Sequence, residues 1–203
     1  MSLPKTPLGL RKATRKTGKE RVRSGDQYLD GDLLDFWGWS TSDILSNATR
    51  GVLAEYIVAH AVGINTKEEV RDEWANFDLQ TPSGIKIEVK SAAFLQSWHQ
   101  NSLSKITFKV PATRKWNAET NQQASQPTRD ADVYVLALLA HTDKATVDPL
   151  DMDQWKFYVV ATKVLDERKR SQHSITLKSL EALCDGEVTF SGLAAEVNRV
   201  AST

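Results

Sequence analysis

A single cysteine, Cys184, stands among 203 residues, so no internal disulfide can form and no cysteine-built zinc site is available. Long hydrophobic runs are missing as well: the longest, Val133 to Ala140, is far too short to span a bilayer. The chain opens on the polar, basic stretch MSLPKTPLGLRK, without the apolar core of a secretory leader. These absences predict a cytoplasmic protein with no membrane contact. The four histidines (His60, His99, His141 and His173) are scattered without paired ligand spacing, and there is no glycine-rich phosphate loop of the Walker kind. With 40% hydrophobic and 26% charged residues the composition is that of a globular protein, which excludes disordered, collagenous and coiled-coil classes. The length suits one domain with its own core.

Net charge is also absent, but the zero conceals an asymmetry. Residues 1–25 carry Lys5, Arg11, Lys12, Arg15, Lys16, Lys19, Arg21 and Arg23 against Glu20 alone, a net +7, which leaves −7 on the rest. The stretch has no hydrophobic period and is predicted to be a flexible basic tail, followed by one domain over residues 26–203. Such a tail suits either a phosphate-seeking arm or a solubilising terminus.

Along that domain, Gly25 to Trp39 is aromatic and acidic and is predicted to be an irregular segment packed on the core. Apolar spacing at Leu53, Tyr56, Ile57 and His60 predicts a helix from about Asp43 to Val62, capped by Thr41 to Asp43, stopped by Gly63 and with room for a break near 47–51. His60 on that face reads as a core histidine. Strand-like runs follow at 74–80, 85–91, 105–110, 132–140 and 155–161. The first two are joined by Thr81-Pro82-Ser83-Gly84, a turn by composition. Residues 111–130 read as a loop, and 177–184 and 191–200 as helices. The order predicts an α/β domain around a central sheet.

The chemistry is concentrated in IKIEVKS, residues 85–91. Strand alternation puts Ile85, Ile87 and Val89 on one face and Lys86, Glu88 and Lys90 on the other, with Glu88 and Lys90 about 7 Å apart. The short turn makes the preceding run its antiparallel partner, which carries Asp78 toward Glu88. Two such carboxylates can hold Mg²⁺ or Mn²⁺, and a neighbouring lysine can orient or deprotonate an attacking water. Glu55 is placed among apolar helical neighbours (Val52, Val58, Ala59, Val62), where an unpaired carboxylate is costly. A strand with Lys86, Glu88 and Lys90 outward also describes a plain exposed sheet face, and Glu167 with Lys169 repeats the Glu-x-Lys spacing in a charged stretch.

Taken together these residues resemble the PD-(D/E)XK, or restriction-endonuclease-like, nuclease superfamily: a helix acid (Glu55), a strand Asp (Asp78), then Glu-x-Lys (Glu88, Lys90). Phe77 occupies the place where that pattern often has proline. The resemblance implies a mixed central β-sheet flanked by α-helices and Mg²⁺-dependent hydrolysis of phosphodiester bonds in DNA. It makes Glu55, Asp78, Glu88 and Lys90 catalytic, with the metal on Asp78, Glu88 and Glu55. Cutting both strands would call for a homodimer. The alternative is a binding module of the same fold without the chemistry. For nucleic-acid contact the candidates are Lys105, Lys109, Arg114, Lys115 and Trp116, cations interleaved with an aromatic. Trp98 reads as core, Cys184 as inert packing, and Asp130 and Asp132 as caps ahead of a buried strand.

Overall fold

The computed structural model describes residues 8–203, so Lys5 of the basic tail lies outside the described residues. The stretch expected to be a structureless tail ends early, because Arg21–Ser24 (β1) pairs antiparallel with Gln27–Asp32 (β2). The cause is Gly25, at φ +59 in the first central position of a two-residue turn, a conformation that glycine adopts without steric cost. Leu33–Thr41 (α1) follows directly. Asp32 caps it and shares a capping box with Asp35. The aromatic segment is therefore regular rather than irregular. It does not pack on the core either: α1 buries none of its residues, and Trp39 is 85% exposed.

Asn47–Ala61 (α2) starts four residues later than its sequence suggests. Asp43 closes a turn onto Leu45 and Ser46, and Ser46 is the residue that caps the helix, accepting from the Thr49 N–H. Gly63 follows the end of the helix, as expected. The buried face is Arg50, Ala54, Ile57, Val58 and Ala59; of the expected stripe Ile57 is buried and Leu53 half-buried, whereas Tyr56 and His60 are exposed. His60 is not a core residue; its ring meets the edge of Phe190 at 6.2 Å.

The elements that build the site come next: Leu79–Gln80 (β3) and Lys86–Ala93 (β4) form the expected antiparallel hairpin, although of the run expected at 74–80 only its last two residues are strand and Asp78 stands just ahead of it. The remaining strands are Thr107–Lys109 (β5), Thr113–Asn117 (β6), Gln122–Thr128 (β7), Val133–Leu139 (β8), Trp155–Ala161 (β9) and Ser174–Thr176 (β10). Helices Thr162–Asp166 (α3), Leu177–Glu181 (α4) and Leu193–Ala201 (α5) complete the chain. The main sheet has the order β3-β4-β8-β9; β4 and β8 are parallel, and both outer pairs are antiparallel. The fold is mixed α/β. β8 is buried along its whole length, as its unbroken apolar run requires of a central strand.

Each face of this sheet has its own core. Ile87, Val89, Val133 and Val135 pack under α2 and under Leu193, Val197 and Val200 of α5. Complete burial of a side chain such as Ile87 contributes about 1.5–3 kcal/mol. Ala92, Tyr134, Leu136 and Leu138 on the other face are covered by the β5–β10 pair and by Leu180 of α4. Arg50 ties α2 to the sheet through a hydrogen bond to Ser91 Oγ and also donates to the Leu45 carbonyl and Asn47 Oδ1 at the start of its own helix. Among the described residues no helix is long and apolar enough to cross a membrane.

A parallel β4–β8 pair demands a long crossover, and residues 94–132 supply it. The stretch expected to be a loop is instead the β6–β7 ribbon, an antiparallel pair with most of its side chains exposed. Its polar, aperiodic sequence carries no burial signal because neither face of the ribbon is buried.

Candidate active site

The hairpin turn sets the geometry. Pro82 follows Thr81 in the turn, the Gly84 N–H donates to the Thr81 carbonyl at 2.8 Å, and Gly84 has φ +93, where a Cβ would be strained. Leu79 pairs with Ile87 and Gln80 with Lys86, so Asp78, one step earlier, stands across from Glu88. Asp78 Oδ2 accepts the Val89 N–H at 2.7 Å, which locks the carboxylate over β4. Lys90 Nζ meets Glu88 Oε1 at 2.5 Å on the same strand face. Three of the four expected residues thus come together, through the period-2 alternation of β4 and the register of its hairpin.

The electrostatics of the pair follow from its surroundings. Burial raises the pKa of Asp78 above the ordinary carboxylate range, and the Glu88 carboxylate raises it further; Lys90, the Val89 N–H and Arg71 act in the opposite direction. Tyr134 lies beside Glu88 on β8. Burial first and Glu88 second push its phenol well above the usual value.

Glu55 sits differently. α2 lies on the Ile87 and Val89 face, and Glu88 and Lys90 point to the opposite one. Glu55 Oε2 is held by Arg71 Nε at 2.5 Å, and its other oxygen accepts from Arg71 Nη2 at 3.0 Å. Arg71 in turn attracts Asp78, so Glu55 is linked to the carboxylate pair through a guanidinium. Among the described residues no cluster of three or more His, Cys, Asp or Glu side chains is grouped closely enough to hold a metal ion.

A cleft of about 230 Å³ opens over this pair. The β5–β10 pair and α4 cover the Ala92 end of β4 and leave the Glu88 end accessible. Arg114, Lys115 and Trp116 of β6 form part of the cleft wall. Lys105 and Lys109 lie outside that lining, because the β5 segment covers the far end of the sheet. Trp98 is 53% exposed rather than buried. Cys184 does pack against the second core, and burial pushes its thiol up to about 12.

Other cleft residues carried no readable signal in the sequence. Asp130, expected to be a cap, lines the cleft and is bound by Lys115 at 2.5 Å. Asp132 does act as a cap, accepting the Lys86 N–H at 2.8 Å. Arg129, 3% exposed at its side chain, donates to the carbonyls of Val110 and Gln172 and pairs with Asp166. Trp74 faces Trp116 edge to face with ring centroids 4.9 Å apart. Only tertiary contact gives Asp130, Arg129 and Trp74 a place at the site.

No curated protein matches the chain. The family model for bacteriophage T4 endonuclease IV matches residues 8–179, which include Asp78, Glu88, Lys90 and every residue that lines the cleft. A match over most of the chain shows the family: the protein belongs to the bacteriophage T4 endonuclease IV family, a family of endonucleases.

Proposed function

We propose that this protein is a metal-dependent endonuclease that hydrolyses phosphodiester bonds in DNA, with Asp78, Glu88 and Lys90 as its catalytic residues. The observation that carries the reading is Asp78 facing Glu88 across the hairpin, with Lys90 on Glu88, at the floor of a cleft walled by Arg114 and Lys115. Membership of the endonuclease family supports the nuclease class and DNA as substrate. The β3-β4-β8-β9 order, with one parallel pair between two antiparallel ones, supports a restriction-endonuclease-like assignment.

The residues present suit a hard divalent cation, Mg²⁺ or Mn²⁺, since burial and the facing Glu88 carboxylate raise the proton affinity of Asp78 in a partly buried place. Asp78 and Glu88 would hold it, leaving other positions for water and phosphate oxygen. Bound there, the cation supplies polarisation of the phosphate and a lowered pKa for water. Lys90 orients the attacking water or takes its proton, and Arg114 and Lys115 neutralise phosphate charge. Glu55 contributes through Arg71, which balances Asp78.

The test is cleavage of supercoiled, linear, single-stranded and structured DNA with Mg²⁺ or Mn²⁺ and with EDTA. Glu88→Gln and Lys90→Ala are expected to lower kcat about 10²- to 10⁴-fold while leaving circular dichroism unchanged. Undiminished cleavage in EDTA, or none by wild type on any substrate with either metal, would overturn the proposal. The exposed cations of residues 8–24 support a second reading, a binding module without the chemistry. That reading expects salt-sensitive binding that collapses when the tail is removed and is indifferent to metal.

A further inference from the structure

The cleft does not end at the carboxylates. A second hollow of about 540 Å³ continues from it, sharing Trp74, Asn76, Lys115 and Trp116 and bounded beyond them by Gln122 and Gln123 of β7. Its volume falls within the about 300–1,000 Å³ of small-molecule sites. Two tryptophans meet at the junction, and neither belongs to a core cluster. Trp74 leaves 63% of its surface to solvent, although a ring of that size gains most by burial. Trp116 is held in orientation by its Nε1–H, which donates to Asn121 Oδ1 at 3.2 Å. The ribbon that carries it has no fully buried side chain, and the half-buried Trp116 packs against Trp74 and not against either core. Among the described residues the amides of Asn76, Gln122 and Gln123 make no side-chain hydrogen bond, which leaves donors and acceptors free at the rim.

We propose that Trp74 and Trp116, with the β6–β7 ribbon, form a stacking subsite for one unstacked nucleobase of the substrate strand, next to the phosphate held at Asp78 and Glu88. This rests on the nuclease reading for the position of that phosphate. The open face of Trp74 takes the base. The rim amides meet its edge, and Lys115, now on Asp130, lies where the flanking phosphate passes. Aromatic stacking tolerates any base, while the amides supply whatever preference exists. The competing account, two rings that pin the ribbon to the 65–78 loop, assigns no role to the free amides and none to an individual nucleotide.

The experiment uses the full chain and short DNA oligonucleotides in which a single abasic nucleotide is moved position by position. Binding is measured in EDTA by fluorescence anisotropy and cleavage with Mg²⁺. The expected result is one position, at a fixed distance from the cut, where the abasic nucleotide weakens wild-type binding about 5- to 100-fold. Trp74→Ala and Trp116→Ala should weaken the intact oligonucleotide by a similar factor and no longer sense that position, and Trp116→Phe should restore the sensitivity. Circular dichroism checks the fold, and Trp74→Ala, at an exposed ring, keeps the test open should Trp116→Ala fail to fold. Abasic sensitivity that is absent from wild type, or unchanged in both alanine variants, overturns the subsite. Positional sensitivity in EDTA without cleavage of any DNA supports the subsite and removes the hydrolase reading; cleavage without positional sensitivity does the reverse.

Discussion

Neutralising Asp78 should move stability in opposite directions with and without metal. In the metal-free protein the folded-state pKa of Asp78 is raised by burial and by Glu88, so the native state holds the proton more tightly than the unfolded chain does. The stability this group contributes is fully present below its unfolded value near ~4 and is lost as pH rises through the raised folded value. At pH 8 the carboxylate is therefore a cost, and Asp78→Asn removes it while an amide oxygen keeps accepting from the Val89 N–H. In EDTA the variant should melt at or above the wild-type temperature. A cation at about 100 times its Kd stabilises the wild type by about 2.7 kcal/mol. For a chain of this size that is a rise of about 5–10 °C, at about 2–4 °C per kcal/mol. The variant, which lacks one of the two proposed ligands, should show little of this shift, so the order of the melting temperatures reverses on adding Mg²⁺. Thermal unfolding followed by circular dichroism with and without 10 mM-scale Mg²⁺ reads both effects (roughly saturating for a weakly held Mg²⁺). An Asp78→Asn protein that melts below wild type in EDTA, or one that gains as much from Mg²⁺, would refute the reasoning.

Arg71 lowers the pKa of Asp78 from a distance, so Arg71→Ala should raise it further and shift the acidic limb of the kcat/KM profile to higher pH. A limb that stays in place would deny the link from Glu55 through Arg71 to the carboxylate pair. Arg129 joins the β5 end, the Gln172 turn and Asp166, so Arg129→Ala should cost about 3 kcal/mol in denaturant unfolding. Arg129→Lys should recover less than half of that, because an ammonium cannot reproduce the fork of contacts. Cys184, with its thiol pushed up to about 12, should resist iodoacetamide at pH 8 until the protein unfolds; rapid alkylation of the native chain would contradict its burial.

The hairpin from Asp78 to Lys90 is legible in the sequence because every rule it obeys is local. Pro82 and Gly84 dictate a turn, alternation puts Glu88 and Lys90 on one face, and a short turn leaves one register for Asp78. β8, β9 and α5 are equally legible, since an unbroken apolar run and an i, i+4, i+7 stripe each imply a single environment. The α1 helix, the β6–β7 ribbon and the true buried face of α2 are not. Their residues follow capping, a glycine turn and a long-range hydrogen bond from Arg50 to Ser91, none of which leaves a hydrophobic period. The sequence by itself thus determined that Asp78 meets Glu88 and that a hairpin carries them, because neighbours along the chain are neighbours across a hairpin. Only the tertiary structure decided that Glu55 turns to Arg71 and that Asp130 and Tyr134 border the site. It also decided that Trp74 meets Trp116, since these contacts join segments whose separation in sequence says nothing about their distance in space.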